Sequence, residues 1–164
     1  MKKKTVLLGF LLAISMILAY IESILPLAIG IPGVKLGLPN LVVVLLLYSY
    51  GKREALSVNI LRIMLTGFLF GNLYSILYAL AGAIFSFCVM AIVRRTGMFS
   101  IIGVSISGGV SHNIGQILVA MFVVDTFAPA FYLPFLLIAG AVTGFIIGIV
   151  SARVLKYIPA DKME

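Results

Sequence analysis

One uncharged stretch, residues 101–124, reads IIGVSISGGVSHNIGQILVAMFVV. About 20 consecutive apolar residues in an α-helix cross the hydrocarbon core of a bilayer, so this stretch is long enough to span a membrane. Its middle nevertheless contains His112, Asn113 and Gln116. Polar side chains at that depth are costly unless they face a cavity or find partners. The stretch therefore predicts a membrane helix that lines a polar interior.

The composition of the whole chain agrees with a location in a membrane. Its 164 residues are 63% hydrophobic and 10% charged, and the mean hydropathy is +1.25. A soluble domain of this size cannot bury so much apolar surface. We therefore predict an all-α integral membrane protein, with one membrane domain over residues 1–164.

Basic residues alternate between the loops in a way that predicts the topology. The net charge is +7, but the positions of the charges argue against a nucleic acid partner. Alternate loops and both ends carry Lys2, Lys3, Lys4, Lys52, Arg53, Arg94, Arg95, Arg153, Lys156 and Lys162. This positive-inside pattern predicts an even number of spans with both termini cytoplasmic. We expect a multi-pass protein of the cell membrane.

Six apolar segments are the predicted spans. Their approximate bounds are residues 5–28, 41–50, 55–70, 73–93, 99–124 and 131–155. The first outer loop, residues 29–40, contains three glycines and two prolines, which exclude a continuous helix. The loop is apolar, and it is either a lid over the bundle or a connector packed on helix ends. Lys35 and Asn40 are predicted to belong to the lid or its hinge.

Four predicted spans carry small or polar residues at helical spacing, so their faces are predicted to converge. These residues are Ser15, Ala19, Glu22 and Pro26 in the first span, Asn59, Arg62 and Thr66 in the third, Ser75, Tyr78, Gly82 and Ser86 in the fourth, and Ser105, Gly109, His112, Gln116 and Ala120 in the fifth, with Asn113 beside them.

Arg62 is the most informative of these residues, because an arginine near mid-span is costly unless it is paired or hydrated. Either it clamps a carboxylate or phosphate of a ligand, or it is tied to Glu22, to helix-end carbonyls or to amide neighbours. His112 either binds a ligand, relays a proton or joins another helix. Tyr78 is either an interfacial aromatic residue or a weaker ligand contact.

The chain lacks the residues that several kinds of chemistry require. The chain has one histidine, one cysteine (Cys88) and two aspartates far apart, so no metal site is predicted. Magnesium-dependent diphosphate chemistry needs clustered carboxylates, and nucleotide hydrolysis by a P-loop needs a Gly-x4-Gly-Lys motif. The serines near His112 share its helix, where no nucleophile elbow forms. We therefore predict no cofactor and no catalytic residue.

Gly9 and Ala13 lie four residues apart in the first span, a spacing that lets another helix approach closely. Such a pair either packs a helix of the same protein or docks a membrane partner. Gly140, Gly144 and Gly148 repeat the spacing in the sixth span. We predict Gly9 and Ala13 as a partner-docking surface.

Five motifs in order carry a family resemblance: KLGLPN at 35–40, KREA at 52–55, Arg62, FLFG at 68–71 and SHNIGQ at 111–116. Together they resemble the membrane family called heptaprenyl diphosphate synthase component I, or Gx transporter family, over about residues 5–155. That family is similar to the substrate-binding S components of energy-coupling factor (ECF) transporters. The resemblance implies a six-helix bundle, an outer-facing pocket capped by the first outer loop, and an ECF-type membrane coupling subunit with two ATPases as partners.

The sequence thus predicts a small-molecule-binding transporter subunit for uptake or handling of a polar or anionic metabolite. The predicted ligand-binding residues are Glu22, Asn59, Arg62, Tyr78, His112, Asn113 and Gln116. Two alternatives stay open. One is an accessory subunit of isoprenoid or menaquinone synthesis that recruits a soluble prenyl synthase, and the other is a membrane component of quinone- or flavin-linked electron transfer. We expect no enzymatic activity from the chain by itself.

Overall fold

The computed structural model describes residues 2–24 and 36–158, and these residues form helices and no strand. The helices are α1 (Lys2–Ile24), α2 (Asn40–Ser49), α3 (Lys52–Phe70), α4 (Leu73–Arg95), α5 (Ile101–Val124) and α6 (Leu133–Leu155), with a short 3-10 helix (Ala128–Tyr132) before α6. The predicted all-α fold and the order of its six helices are confirmed. Most of the predicted lid, including Lys35, lies outside the described residues.

Four of the helical segments are long and apolar enough to cross a membrane: Lys3–Ile24, Leu73–Arg95, Ile101–Val124 and Ala128–Leu155. They confirm the prediction of a membrane protein. The ten residues of α2 rise only about 15 Å, half the thickness of the hydrocarbon core. Four charged residues, Lys52, Arg53, Glu54 and Arg62, lower the hydropathy of α3. Length and composition therefore support four of the six predicted spans.

The short helix α2 forms the centre of the bundle. Its residues Val42, Val43, Val44, Leu46 and Leu47 are all buried, so every side of the helix is covered. It packs against α1, α3 and α6. A helix that is apolar all round is stable only when it is surrounded in this way.

Glycines allow α5 and α6 to pack with their backbones almost in contact. A Cβ atom at Gly109 would lie 2.2 Å from the carbonyl oxygen of Gly140, and one at Gly144 would lie 2.7 Å from that of Ser105. Small residues at four-residue spacing permit this approach. The glycine repeat of the sixth span therefore packs a helix within the same protein.

Two contacts fix the register of α1 against α3. Lys4 Nζ donates to Glu54 Oε1 at 2.6 Å, and the ring centroids of Tyr20 and Phe70 lie 5.1 Å apart. Both pairs are 50 residues apart in the chain, so the two helices run parallel in constant register. We call the end of the bundle that carries Lys4, Lys52, Arg95 and Arg153 the basic end.

Candidate functional site

A cavity of about 270 Å³ lies between α1, the start of α2, α3, α4, α5 and α6. The predicted residues that line it are Glu22, Asn40, Arg62, His112, Asn113 and Gln116. The polar faces of the first, third and fifth helices therefore converge, as their spacing predicts. Glu22 precedes residues 25–35 in the chain and Asn40 follows them, and both side chains line the cavity.

Arg62 lines this cavity with a donor still available. Its Nη2 donates to Oδ1 of Asn59 at 2.6 Å, one helical turn away on the same face. Its Nε is buried and has no hydrogen-bond partner among the described residues. An unsatisfied buried donor costs about 1–3 kcal/mol, so an acceptor that reaches this atom is favoured. Of the structural roles predicted for Arg62, the tie to an amide neighbour is the one present.

Asn59 is buried behind Arg62 and does not belong to the described lining of the cavity. Its amide oxygen orients the guanidinium, so any effect on a ligand acts through Arg62. The hydroxyl of Thr66 donates to the backbone oxygen of Arg62 at 2.8 Å and lies on the cavity wall. The polar face of α3 is therefore a connected unit.

Contacts with α4 and α6 position the polar face of α5. Asn113 Nδ2 donates to the carbonyl oxygen of Leu136 at 2.5 Å, which ties α5 to α6. His112 and Gln116 pack against Gly82 of α4, where a Cβ atom would lie 2.9 Å from His112 Cε1 and 2.8 Å from Gln116 Cγ. A glycine in the predicted polar stripe of α4 therefore makes the room that these two side chains occupy.

A contact between Glu22 and Gly37 joins α1 to the segment before α2. The backbone N–H of Gly37 donates to Glu22 Oε1 at 2.5 Å. Gly37 has φ +71, in the left-handed region that favours glycine. The same segment leads into the N-terminal end of α2, which carries the positive end of the helix dipole and lines the cavity at Pro39 and Asn40. Sequence reasoning placed Gly37 in a motif but did not find this contact.

Glu22 and Arg62 place opposite charges on one cavity, where they interact electrostatically. Within residues 2–24 and 36–158, Lys4 with Glu54 is the one ion pair. Each residue of α1 lies beside the residue 50 positions later in α3. Arg62 therefore lies beside position 12 of α1, which is ten residues before Glu22. At about 1.5 Å per residue, the Cα atom of Glu22 is about 15 Å farther from the basic end than that of Arg62.

Other predicted residues lie elsewhere. Tyr78 is half-buried and is not part of the described cavity wall. Gly9 and Ala13 are exposed on α1, and a Cβ atom at Gly9 would meet nothing within 4 Å. Ala13 lines a separate apolar groove of about 390 Å³ with Met16, Ile17, Tyr20 and Phe70.

Several lining residues were not predicted as ligand contacts: Ser23, Thr66, Ser75 and Thr143. Thr66 and Ser75 belong to polar stripes that the spacing identified. Ser75 is held at the start of α4 by a capping box, in which Asn72 Oδ1 accepts from its backbone N–H at 2.9 Å. Thr143 lies three residues after Gly140 on α6, and this helical spacing could have identified it as a polar residue on the same face. No group of three or more His, Cys, Asp or Glu residues in the described ranges is arranged to hold a metal ion.

One comparison with known proteins identifies a family. The model of the family described as Heptaprenyl diphosphate synthase component I matches residues 11–154, which include all five motifs of the resemblance. No curated protein and no solved structure matches the chain. Since the match covers most of its length, the chain belongs to the heptaprenyl diphosphate synthase component I family.

Proposed function

We propose that this protein is the small-molecule-binding subunit of a membrane transporter, for uptake or handling of a polar or anionic metabolite. The observation that supports this most directly is the cavity shared by Arg62, His112, Asn113 and Gln116. Ionisable and polar residues inside a membrane bundle face the pathway or site of a substrate far more often than they face lipid. A concave site with a few convergent polar groups is also the usual form of a ligand pocket.

Each polar group has a distinct role in this proposal. The guanidinium of Arg62 binds an anionic or strongly polar group of the ligand, and Asn59 orients the guanidinium. His112 and Gln116 add hydrogen bonds from α5. Asn113 both faces the cavity and holds α5 against α6 through Leu136. Glu22 and Asn40 line the mouth of the cavity.

The topology that we propose has six membrane-embedded helices, of which α2 is a half-length central one. Arg62 faces the cavity instead of lipid, so the lower hydropathy of α3 is compatible with a span. The basic end faces the cytoplasm, in keeping with the positive-inside rule, and both termini lie there in the cell membrane. This proposed arrangement is the one implied by the similarity of the family to S components.

A membrane coupling subunit with ATPases is the partner in this proposal. The exposed face of α1 at Gly9 and Ala13 supports it, because α1 is the least buried of the four candidate spans. Small side chains on an open helix face permit close helix approach. The groove that begins at Ala13 continues that face toward Phe70.

Native mass spectrometry of the full chain, gently purified from its own membrane, tests ligand binding. We expect a small-molecule adduct on the wild type that is lost in the Arg62→Ala, His112→Ala double variant. The Arg95→Ala variant, which removes an exposed arginine at the basic end, is the matched control and keeps the adduct. An adduct that survives in the double variant, or no adduct on the wild type, would contradict the proposed function.

A second function is favoured by the description of the family, in which the chain is an accessory subunit of heptaprenyl diphosphate synthesis. It would then recruit a soluble prenyl synthase to the membrane, and its polar residues would be interhelical hydrogen bonds. A prenyl synthase that co-purifies with the chain, and whose product formation depends on it, would support this function. The same preparation distinguishes the two proposals, because only the first requires a bound ligand that disappears when Arg62 and His112 are replaced by alanine.

A further inference from the structure

A second, smaller hollow adjoins the candidate cavity, and we call it the inner hollow. It lies between α2, α4, α5 and α6, and its volume is about 20 Å³. Gly37, Asn40, Gly109 and Thr143 line both the cavity and the inner hollow, so the two spaces meet at these residues. The inner hollow therefore extends the space that is open to a bound ligand.

Two contacts between α4 and α5 give the depth of the inner hollow. His112, on the cavity wall, packs on Gly82, and the hydroxyl of Ser86 donates to the backbone oxygen of Gly108 at 2.8 Å. The second contact lies four residues nearer the basic end on each helix, which is about 6 Å. Ser86 and Gly108 both line the inner hollow. It is therefore the deeper end of the site, about one helical turn beyond His112.

The α3–α4 hairpin places Arg62 near the depth of His112. Arg62 is nine residues before Gly71, and Gly82, on which His112 packs, is ten residues after Asn72. Both helices rise by the same distance per residue, so Arg62 and Gly82 are at similar distances from the turn that joins the helices. A ligand with an anionic group at Arg62 therefore needs only a short chain of atoms to reach the inner hollow.

The inner hollow is lined by polar groups that still have hydrogen-bonding capacity. Ser105 is 4% exposed, and its hydroxyl makes no hydrogen bond with any residue in the part of the chain that the structure describes. The carboxamide of Asn40, where the two spaces meet, likewise has no partner among the described residues. A buried polar group without a partner costs free energy, so a hydrogen-bonding group is favoured here over a hydrocarbon.

The size and the lining of the inner hollow exclude a large or charged group. A volume of about 20 Å³ holds about one water molecule or a group of similar size. None of the described residues that line it is ionisable. A charge placed there would lose its hydration without gaining a counter-charge, at a high cost in free energy. The group that fits is small, neutral and able both to donate and to accept, as a hydroxyl is.

We propose that the inner hollow is a subsite for a hydroxyl group of the ligand, whose anionic group is bound at the same time by Arg62. The hydroxyl group exchanges hydrogen bonds with Ser105 and Asn40. The proposal rests on the proposed function and narrows its substrate class to small anions that carry a hydroxyl group. It also assigns Ser105 as a specificity-determining residue. A water molecule has the same hydrogen-bonding chemistry, so the experiment separates a ligand hydroxyl from a bound water.

Two sets of matched probes test the proposal on the full chain in lipid nanodiscs. The first set is 4-hydroxybutyrate, pentanoate and 4-aminobutyrate, and the second is 2-hydroxyethyl phosphate, propyl phosphate and phosphoethanolamine. Within each set, a methyl or an ammonium group replaces the hydroxyl. Affinity is measured from the shift in Tm as each probe is titrated to millimolar concentration.

Three variants accompany the wild type in this experiment. Ser105→Ala removes the hydroxyl from the inner hollow, and Arg62→Gln removes the charge that binds the anionic group. The matched control is Ser107→Ala on the same helix. The hydroxyl of Ser107 donates to the backbone oxygen of Val104 at 2.7 Å, and Ser107 is not in the described lining of either space.

We expect the wild type and Ser107→Ala to bind the hydroxyl probe of at least one set about tenfold more tightly than its methyl and ammonium counterparts. Ser105→Ala is expected to lose that preference and to bind the methyl probe as the wild type does. Arg62→Gln is expected to weaken binding of every probe.

Equal affinity of the wild type for the hydroxyl and methyl probes would overturn the proposal and would mean that the inner hollow holds water only. An undiminished preference for the hydroxyl probe in Ser105→Ala would overturn the role of Ser105. Failure of every probe to bind would also overturn the proposal, while the native mass spectrum tests the proposed function separately.

Discussion

Gly82 of α4 lies so close to His112 of α5 that a Cβ atom at position 82 would come within 2.9 Å of the imidazole Cε1. The same atom would lie 2.8 Å from Gln116 Cγ. The absence of a side chain at one position of α4 therefore sets where two polar side chains of α5 stand in the cavity. The shape of the candidate site depends on this contact as much as on the polar residues themselves.

Gly82→Ala is expected to weaken ligand binding more than it lowers stability. Glycine to alanine in a helix usually stabilises by about 0.5–1 kcal/mol, but here the methyl group displaces His112 and Gln116. Those side chains are flexible, so the helices need not separate. Ligand affinity and Tm are measured for this variant and for Cys88→Ala, on the exposed part of the same helix. Unchanged affinity in Gly82→Ala would show that the two side chains do not contact the ligand.

Asn59→Ala is expected to weaken ligand binding even though Asn59 does not line the cavity. The substitution removes the acceptor that holds Nη2 of Arg62 at 2.6 Å, so the guanidinium loses its orientation. Because Asn59 acts through Arg62, the Kd of the Asn59→Ala, Arg62→Ala double variant should equal that of Arg62→Ala alone. Additive losses of binding free energy in this double-mutant cycle would show that Asn59 acts independently of Arg62.

Gly140→Ala is expected to destabilise the bundle strongly. A Cβ atom there would lie 2.6 Å from the carbonyl oxygen of Gly109, and backbone cannot rotate away as a side chain can. Overpacking of this kind costs about 1–3 kcal/mol. Thermal unfolding in detergent compares it with Val142→Ala, at an exposed position of α6. If the two variants unfold at the same temperature, the close approach of α5 and α6 is wrong.

The Lys4–Glu54 pair predicts a small loss of stability in acid. The hydrogen bond from the Lys4 ammonium lowers the pKa of Glu54 below its ordinary value. A carboxyl group whose pKa is lower in the folded state stabilises the fold above its unfolded pKa, and the contribution is lost as the pH falls through the folded pKa. Partly exposed pairs contribute about 0–1 kcal/mol, so the effect is small and screened by salt.

The measurement is the free energy of unfolding from neutral to acid pH, for the wild type and Glu54→Gln at low and high salt. The wild type should be the more stable at neutral pH and low salt, with the difference disappearing in acid and at high salt. Identical pH profiles at low salt would mean that the pair contributes nothing to folding.

The helices themselves could be predicted from local sequence. The sequence predicts a fifth span at 99–124, and α5 is Ile101–Val124; it predicts a fourth span at 73–93, and α4 is Leu73–Arg95. Apolar length and turn residues act over a few neighbours, so they predict such bounds well. The convergence of Arg62, His112 and Gln116 was also predictable, because helical spacing places polar residues on one face.

The sequence by itself determined the membrane class, the order of the helices and the faces that carry polar groups, because these follow from composition and from the 3.6-residue period of a helix. Only the tertiary structure decided that Asn59 holds Arg62, that Gly37 contacts Glu22, that Tyr78 lies away from the cavity, and that Glu22 and Arg62 stand at different depths. These relationships depend on how far one helix is displaced along another. That displacement is set by contacts such as Lys4–Glu54 and Tyr20–Phe70, which join residues 50 positions apart and leave no trace in a local pattern.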